Sequence, residues 1–233
     1  MEDNTGVCPK CNGVGYIFYD ENGYQIAREC ECQELIKAKA RLKASGISDE
    51  FLKKGFKNFN DRNLPVLKKA KEIGLDYCKQ FPSIRHERRN SVLYQGQVGS
   101  GKTHLSMAIC NNIMEFHKVG VVYMPYREEI TRIKQTVTDE INYNNAIGRF
   151  KNAPVLMIDD LLKGKNSEAD VNILFEIINF RYLNNMPMVI STEKTIDELL
   201  SFDEGTMSRV IEMARGHQIE ILGREYNYRL YGD

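Results

Sequence analysis

The residues Gly96-Gln97-Val98-Gly99-Ser100-Gly101-Lys102-Thr103 satisfy the pattern G-x-x-x-x-G-K-[ST] at every position. Such a string does chemistry only in the right context. Here an apolar strand, SVLYQ over 91–95, precedes it and a long helical stretch, HLSMAICNNIMEF, follows it. Glycines let the backbone curl until successive N–H groups point inward, and the N-terminus of the following helix adds partial positive charge; both favour a bound polyphosphate. The pattern sets Lys102 to reach the β- and γ-phosphates of ATP and the Thr103 hydroxyl to ligate Mg²⁺. A Gly-rich turn with no ligand is the alternative, but it gives Lys102 and Thr103 nothing to do.

A phosphate loop alone neither completes the coordination of magnesium nor positions water, so a carboxylate site is expected as well. Val155-Leu156-Met157-Ile158-Asp159-Asp160 supplies one: an apolar strand ends in two acids, Asp159 for the Mg²⁺ sphere and Asp160 to orient or deprotonate the attacking water. Taken alone, the pair fits an Asp-rich turn or helix cap equally well. Coupling to the phosphate loop decides for chemistry.

Four of the six cysteines fall early in the chain, as Cys8-x2-Cys11 and Cys30-x-Cys32 with 18 residues between the pairs. Four soft ligands close a tetrahedral Zn²⁺ site with no position left for water, which makes the site structural. Redox cysteines are the competing reading, and two pairs flanking a hairpin argue against it. Cys78 and Cys110 stand alone in helix-like stretches and are expected to be buried thiols.

These groups need elements to hold them. The chain has 233 residues, with 32 Lys+Arg balanced by 32 Asp+Glu, and 42% hydrophobic residues; that is globular usage and excludes a histone-like polycation or a disordered chain. No apolar run approaches the ~18 residues of a membrane span, and MEDNTGVCPK has neither a basic start nor an apolar signal region, so a cytoplasmic protein with no membrane partner is expected. From residue 64 helix and strand signals alternate: helix 65–80, strand 91–95, helix 103–117, strand 120–124, helix 126–137, strand 154–158, helix 168–184, strand 187–191 and helix 195–201, with a strand-like 218–222 after them. Such alternation specifies an α/β fold, a parallel sheet covered by helices. Ahead of it lie a β-hairpin between the cysteine pairs and a basic helix over 33–44. The division expected is therefore 1–45, a zinc-binding module; 46–62, a linker; and 63–233, an ATPase domain.

With these residues in view, the chain resembles the AAA+ ATPases of the DnaC/DnaI type, replicative helicase loaders that phages also encode. The resemblance rests on CPKC…CEC followed by a basic helix, and on GQVGSGKTHLSMAI, VLMIDDL, INFRYLNNMPMVIST, MSRVIEM and the terminal GREYNYR. It implies a P-loop AAA+ core that binds and slowly hydrolyses ATP, contacts single-stranded DNA, and engages a hexameric replicative DNA helicase through residues 1–45. It also implies self-association through ATP-site interfaces, with Arg209 matching the family's arginine finger. Gly96 to Thr103, Asp159 and Thr192 are the implied nucleotide contacts, Thr192 standing at the sensor position. The chain departs from the family at Glu193, where the family commonly carries Asn; either Thr192 is the sensor, or Glu193 points away and Lys194 offsets it. Asp160 in place of the Glu of many AAA+ motors suits a slow switch.

Only 11 residues follow Leu222, too few for a helical lid; Arg229 matches the family's terminal arginine, with no assigned role. The basic stretch 83–90 and the mixture of aromatics and cations from Tyr123 and Tyr126 to Arg127, Arg132 and Lys134 are candidate DNA contacts, or ordinary solvated surface. A transposition helper ATPase of the IstB type and a non-hydrolysing adaptor or inhibitor of a host loader stay open as alternatives.

Overall fold

The computed structural model describes residues 8–33 apart from Asn22, residues 36, 37 and 40, and residues 49–232. The basic helix expected over 33–44 lies largely outside the described residues. Near the N-terminus, β1 (Tyr16–Glu21) and β2 (Tyr24–Glu29) form the expected antiparallel hairpin, registered from Tyr16 opposite Glu29 to Glu21 opposite Tyr24. A helical turn, α1 (Asp49–Leu52), leads towards the main body.

Five parallel strands form the centre: β3 (Val92–Gly96), β4 (Val121–Pro125), β5 (Val155–Leu161), β6 (Met188–Thr192) and β7 (Gln218–Ile221). They lie in the order β4-β5-β6-β3-β7. The helices between them are α2 (Pro65–Ile84), α3 (Lys102–His117), α4 (Tyr126–Lys134), α5 (Glu140–Lys151), α6 (Glu168–Leu183), α7 (Ile196–Phe202), α8 (Glu204–Met213) and a final turn, α9 (Tyr228–Tyr231).

The strands are apolar on both faces because each face meets its own core. Val92, Tyr94, Val155, Met157 and Val189 pack with α2 and α3, while the alternating Leu93, Leu156, Ile158, Met188 and Ile190 pack with α4, α5, α6 and α8. A period of two with no polar face is the signature of a sheet sandwiched between helix layers. β3 lies between β6 and β7, with the strands that follow it in sequence placed on both its sides; ligands of open α/β sheets bind at the C-terminal strand ends where the order reverses in this way.

Two differences from the sequence expectation follow from local polarity. The helix expected over 126–137 stops at Lys134, and a second one, α5, follows, started by Asp139, whose carboxylate accepts from the Asn142 N–H at 3.0 Å. Three asparagines and a glycine, poor helix formers, disguise α5 as a loop although Tyr143, Ala146, Ile147 and Phe150 keep a helical spacing. The segment expected as linker is packed over its described part: Phe56 and Phe59 join the core under α2 and α3, and Asn111 donates to the carbonyls of Leu52 and Lys54.

Candidate functional site

The phosphate loop leaves β3 through Gly96, whose φ of +119° and close approach to Ile221 exclude any side chain: a Cβ there would lie 2.1 Å from the Ile221 carbonyl oxygen. Gly99, at φ +76°, is pinned from the other side, its carbonyl accepting the Tyr228 N–H at 2.9 Å. The loop is thus clamped between β7 and α9. Lys102 opens α3 with its side chain folded back, Nζ donating to the carbonyls of Gly96 at 2.7 Å and Gln97 at 2.6 Å. Burial pulls its pKa down, with Asp160, Glu193 and Asp159 pulling the other way.

Opposite lies the end of β5. Asp159 is buried, its Oδ1 accepting from Thr103 Oγ1 at 2.8 Å and from the Ser191 hydroxyl, and its Oδ2 from the Tyr123 hydroxyl at 3.2 Å. Burial raises its pKa, the Ser191 hydroxyl opposing. A buried carboxylate beside a hydroxyl is a hard oxygen donor pair whose charge calls for a cation, and this donor set fits magnesium. The strand then bulges: register shifts between Ile158 and Leu161, Asp160 takes φ +54°, and its N–H donates to Ser191 Oγ at 3.0 Å. Consecutive residues of a regular strand point to opposite faces, so this break is what turns both acids towards one cleft. The cleft, about 470 Å³, is lined by Val98 to Thr103, Asp159 and Asp160, and walled by Asn58, Phe59, Leu67, Tyr226 and Arg229.

The four N-terminal thiols also converge. Cys8 Sγ is 3.8 Å from Cys30 Sγ, Cys11 Sγ is 3.5 Å from Cys32 Sγ, and all four sulfurs lie within 4.8 Å of one another. A tetrahedron with Zn–S of about 2.3 Å has edges of about 3.8 Å, so four sulfurs this close fit a zinc ion with small adjustments. At Cys11 burial resists ionisation, but the Gly15 N–H, 3.3 Å from its sulfur, and the neighbouring thiols outweigh it and lower the pKa to about 7. Burial and the other three thiols push Cys32 up to about 12. Four crowded thiols cannot all ionise unless a cation joins them.

Comparison with known proteins decides the affiliation. The model of the bacterial DnaA ATPase domain matches residues 56–215, the span holding the phosphate loop, both aspartates and Arg209. The chain belongs to this ATPase family. It is 36% identical to the phage-like element PBSX protein XkdC of Bacillus subtilis, over 97% of this chain and 86% of that protein. It is 28% identical to the chromosomal replication initiator DnaA of Borrelia turicatae over 77% of this chain, a match that takes in 36% of the initiator's length. Among solved structures, the DnaC helicase loader superposes with a TM-score of 0.65 at 20% identity, over 75% of this chain and 99% of that one. DnaI gives 0.62 at 20% identity, over 76% and 94%. The fold is therefore the expected parallel-sheet P-loop AAA+ core, and the family is one of nucleotide-binding ATPases of DNA replication.

Within this ATPase, the remaining residues singled out from sequence fall as follows. Gly96 and Gln97 meet Lys102 through their carbonyls and do not line the cleft. Thr192 is fully buried; its hydroxyl donates to the Leu161 carbonyl at 2.7 Å and accepts from the Lys194 N–H at 3.1 Å, away from the cleft lining. Glu193 does line the cleft, paired with Lys163 at 3.2 Å, whereas Lys194 pairs with Glu198. Arg209 lies outside the cleft on α8, held by the Gly205 carbonyl, its guanidinium 5.8 Å from the Phe175 ring centre and 5.5 Å from that of Tyr182.

The aromatic part of the expected DNA surface turns inward, Tyr126 fully and Tyr123 in part. Tyr126 is 2% exposed with its hydroxyl on Asn166, and Tyr123 turns to Asp159. In the stretch 83–90, Arg88 stacks on Tyr182 with 3.9 Å to the ring centre. Sequence reading missed Lys163 as a cleft residue and Ser191 as the buried hydroxyl that holds Asp159. Ser191 stood in view in the sensor strand, but only the β5–β6 pairing reveals what it holds.

Proposed function

We propose that the chain is an ATP-dependent loader that delivers or assembles the hexameric replicative helicase on single-stranded DNA at the start of replication. The observation that carries the ATP-dependent part is the Thr103–Asp159 hydrogen bond, which joins the phosphate loop to the end of β5 in one cleft with Lys102 and Asp160. Lys102 binds the β- and γ-phosphates and Asp160 orients or deprotonates the attacking water. Thr103 and Asp159 would hold Mg²⁺, which when bound neutralises phosphate charge. Arg209, absent from its own cleft and carried on the partly exposed α8, serves a neighbouring subunit's nucleotide. Hydrolysis is slow in the free chain and rises on assembly or with DNA, because that arginine arrives only across an interface.

Residues 1–45 form the helicase-binding module, folded around one Zn²⁺ on Cys8, Cys11, Cys30 and Cys32; residues 63–233 are the ATPase. What supports a loader is the DnaC and DnaI fold together with this cysteine cluster. Among the described residues no helix is long and apolar enough to cross a membrane. The test is co-purification with the replicative hexamer of the source cell. Full-length protein is expected to bring down the helicase and a chain lacking residues 1–45 is not. Helicase capture by neither would remove the loader assignment while leaving the ATPase standing.

A further inference from the structure

Lys163 holds an unusual place. It lies just past β5, whose end and the turn after it hold Asp160 and Leu162 at positive φ, and the Lys163 N–H closes on the Asp160 carbonyl at 3.0 Å. From there its ammonium bridges two carboxylates on neighbouring strand ends, Asp160 Oδ2 at 2.6 Å and Glu193 Oε1 at 3.2 Å. All three side chains line the cleft with Lys102 and Thr103. The hydrogen bond to Asp160, with a second to Glu193, keeps the ammonium firmly charged.

We infer that Lys163 is a γ-phosphate-responsive positioning residue: it holds Asp160 and Glu193 while the γ-phosphate position is vacant, and a γ-phosphate draws it away and releases the Asp160 carboxylate to water. This rests on the cleft being an ATP site. The reasoning is electrostatic. Asp159 is answered by the Mg²⁺ it would hold, but without Lys163 the carboxylates of Asp160 and Glu193 would face a polyanion unpaired, and Glu193 in particular would repel it. The present ties are breakable: the side chains of Lys163, Asp160 and Glu193 are 44%, 33% and 30% exposed, and ion pairs so open to water are weak. A phosphate group offers more negative charge than either carboxylate to a flexible lysine already inside the cleft. Glu193, which is the wrong charge for a phosphate sensor by itself, thereby becomes the resting place of one. ADP lacks the group that competes for Lys163, so the device separates ATP from ADP.

The experiment measures ATP and ADP affinity by fluorescence titration, and single-turnover hydrolysis, for the wild type, Lys163→Gln, Lys163→Arg and Glu193→Gln, each in the full chain with Mg²⁺. Lys163→Gln is expected to weaken ATP by about tenfold while ADP changes much less, the loss of one charge-assisted contact. Lys163→Arg should restore most of the ATP preference, and Glu193→Gln should tighten ATP because it removes a competitor for the ammonium. Equal weakening of ATP and ADP in Lys163→Gln would overturn the inference, as would an unchanged ATP/ADP ratio. If the wild type binds neither nucleotide, the failure lies with the ATP site itself, and the two failures are told apart by the ADP titration.

Discussion

In the ATPase core, Asp159 ends a strand whose four preceding residues, Val155 to Ile158, are 0% exposed, whereas the cysteine pairs flank a hairpin with Tyr16, Phe18 and Tyr24 exposed at 45%, 56% and 76%. Each fully buried apolar side chain contributes roughly 1.5–3 kcal/mol, so β5 alone is anchored several times over before any ligand arrives. The hairpin buries little beyond Cys11 and Cys30 among its described residues. Geometry that burial has fixed in advance waits for its ligand, and geometry without burial must be made by its ligand. We therefore expect the core to fold without nucleotide and the hairpin to need zinc.

The largest effect expected from this contrast is on the hairpin. Removing metal with a chelator, or substituting Cys8→Ser, should abolish ordered structure around residues 8–33 and leave the thermal transition of the core unchanged. Elemental analysis should find one zinc per chain in the untreated protein, and amide exchange reads the two regions separately. Retained protection of the hairpin in metal-free protein would break the comparison.

Next in size is turnover in the assembled state. Arg209→Ala should bind ATP normally and lose about 10³-fold in assembly-stimulated hydrolysis. Mixing it with Lys102→Ala should restore part of the activity, since some interfaces then pair an intact loop with an intact arginine. Mixed assemblies shown to form without recovering turnover would make Arg209 a residue of its own subunit, consistent with its contacts to Gly205, Phe175 and Tyr182.

A smaller change sharpens the division of labour within the cleft. Asp160→Asn keeps the shape of the β5 bulge and should lower hydrolysis about 10²-fold with ATP affinity nearly unchanged. A parallel fall in affinity would mean that Asp160 shares the metal with Asp159.

The phosphate loop, the two aspartates and the order of helices and strands were legible because each is written in consecutive residues: a complete pattern, an apolar run, an alternation. What escaped depends on pairing across strands. Ser191 acquires meaning only because β6 lies beside β5 and brings its hydroxyl to Asp159 and Asp160. The Lys163–Glu193 pair spans two turns whose proximity no local spacing encodes. Tyr123 and Tyr126 read as surface aromatics beside cations, yet each has an internal partner for its hydroxyl, which lets Tyr126 be buried and Tyr123 partly so. Arg181 is the extreme case: a fully buried guanidinium on α6 whose two terminal nitrogens donate to the carbonyls of Phe150, Lys151, Ala153 and Pro187, partners that only the folded chain brings together, while its Nε stays unpaired.

The most direct test of the account is a calorimetric titration of the full chain with ATP and Mg²⁺, run beside the Lys102→Ala variant, with the core's unfolding followed on the same samples. The account predicts one site per chain in the wild type, affinity at least about a hundredfold weaker in Lys102→Ala from the loss of charge-assisted contacts, and matching unfolding curves without nucleotide. Equal affinity in the two proteins would contradict it, because the cleft around Lys102, Thr103 and Asp159 would then not be where ATP binds.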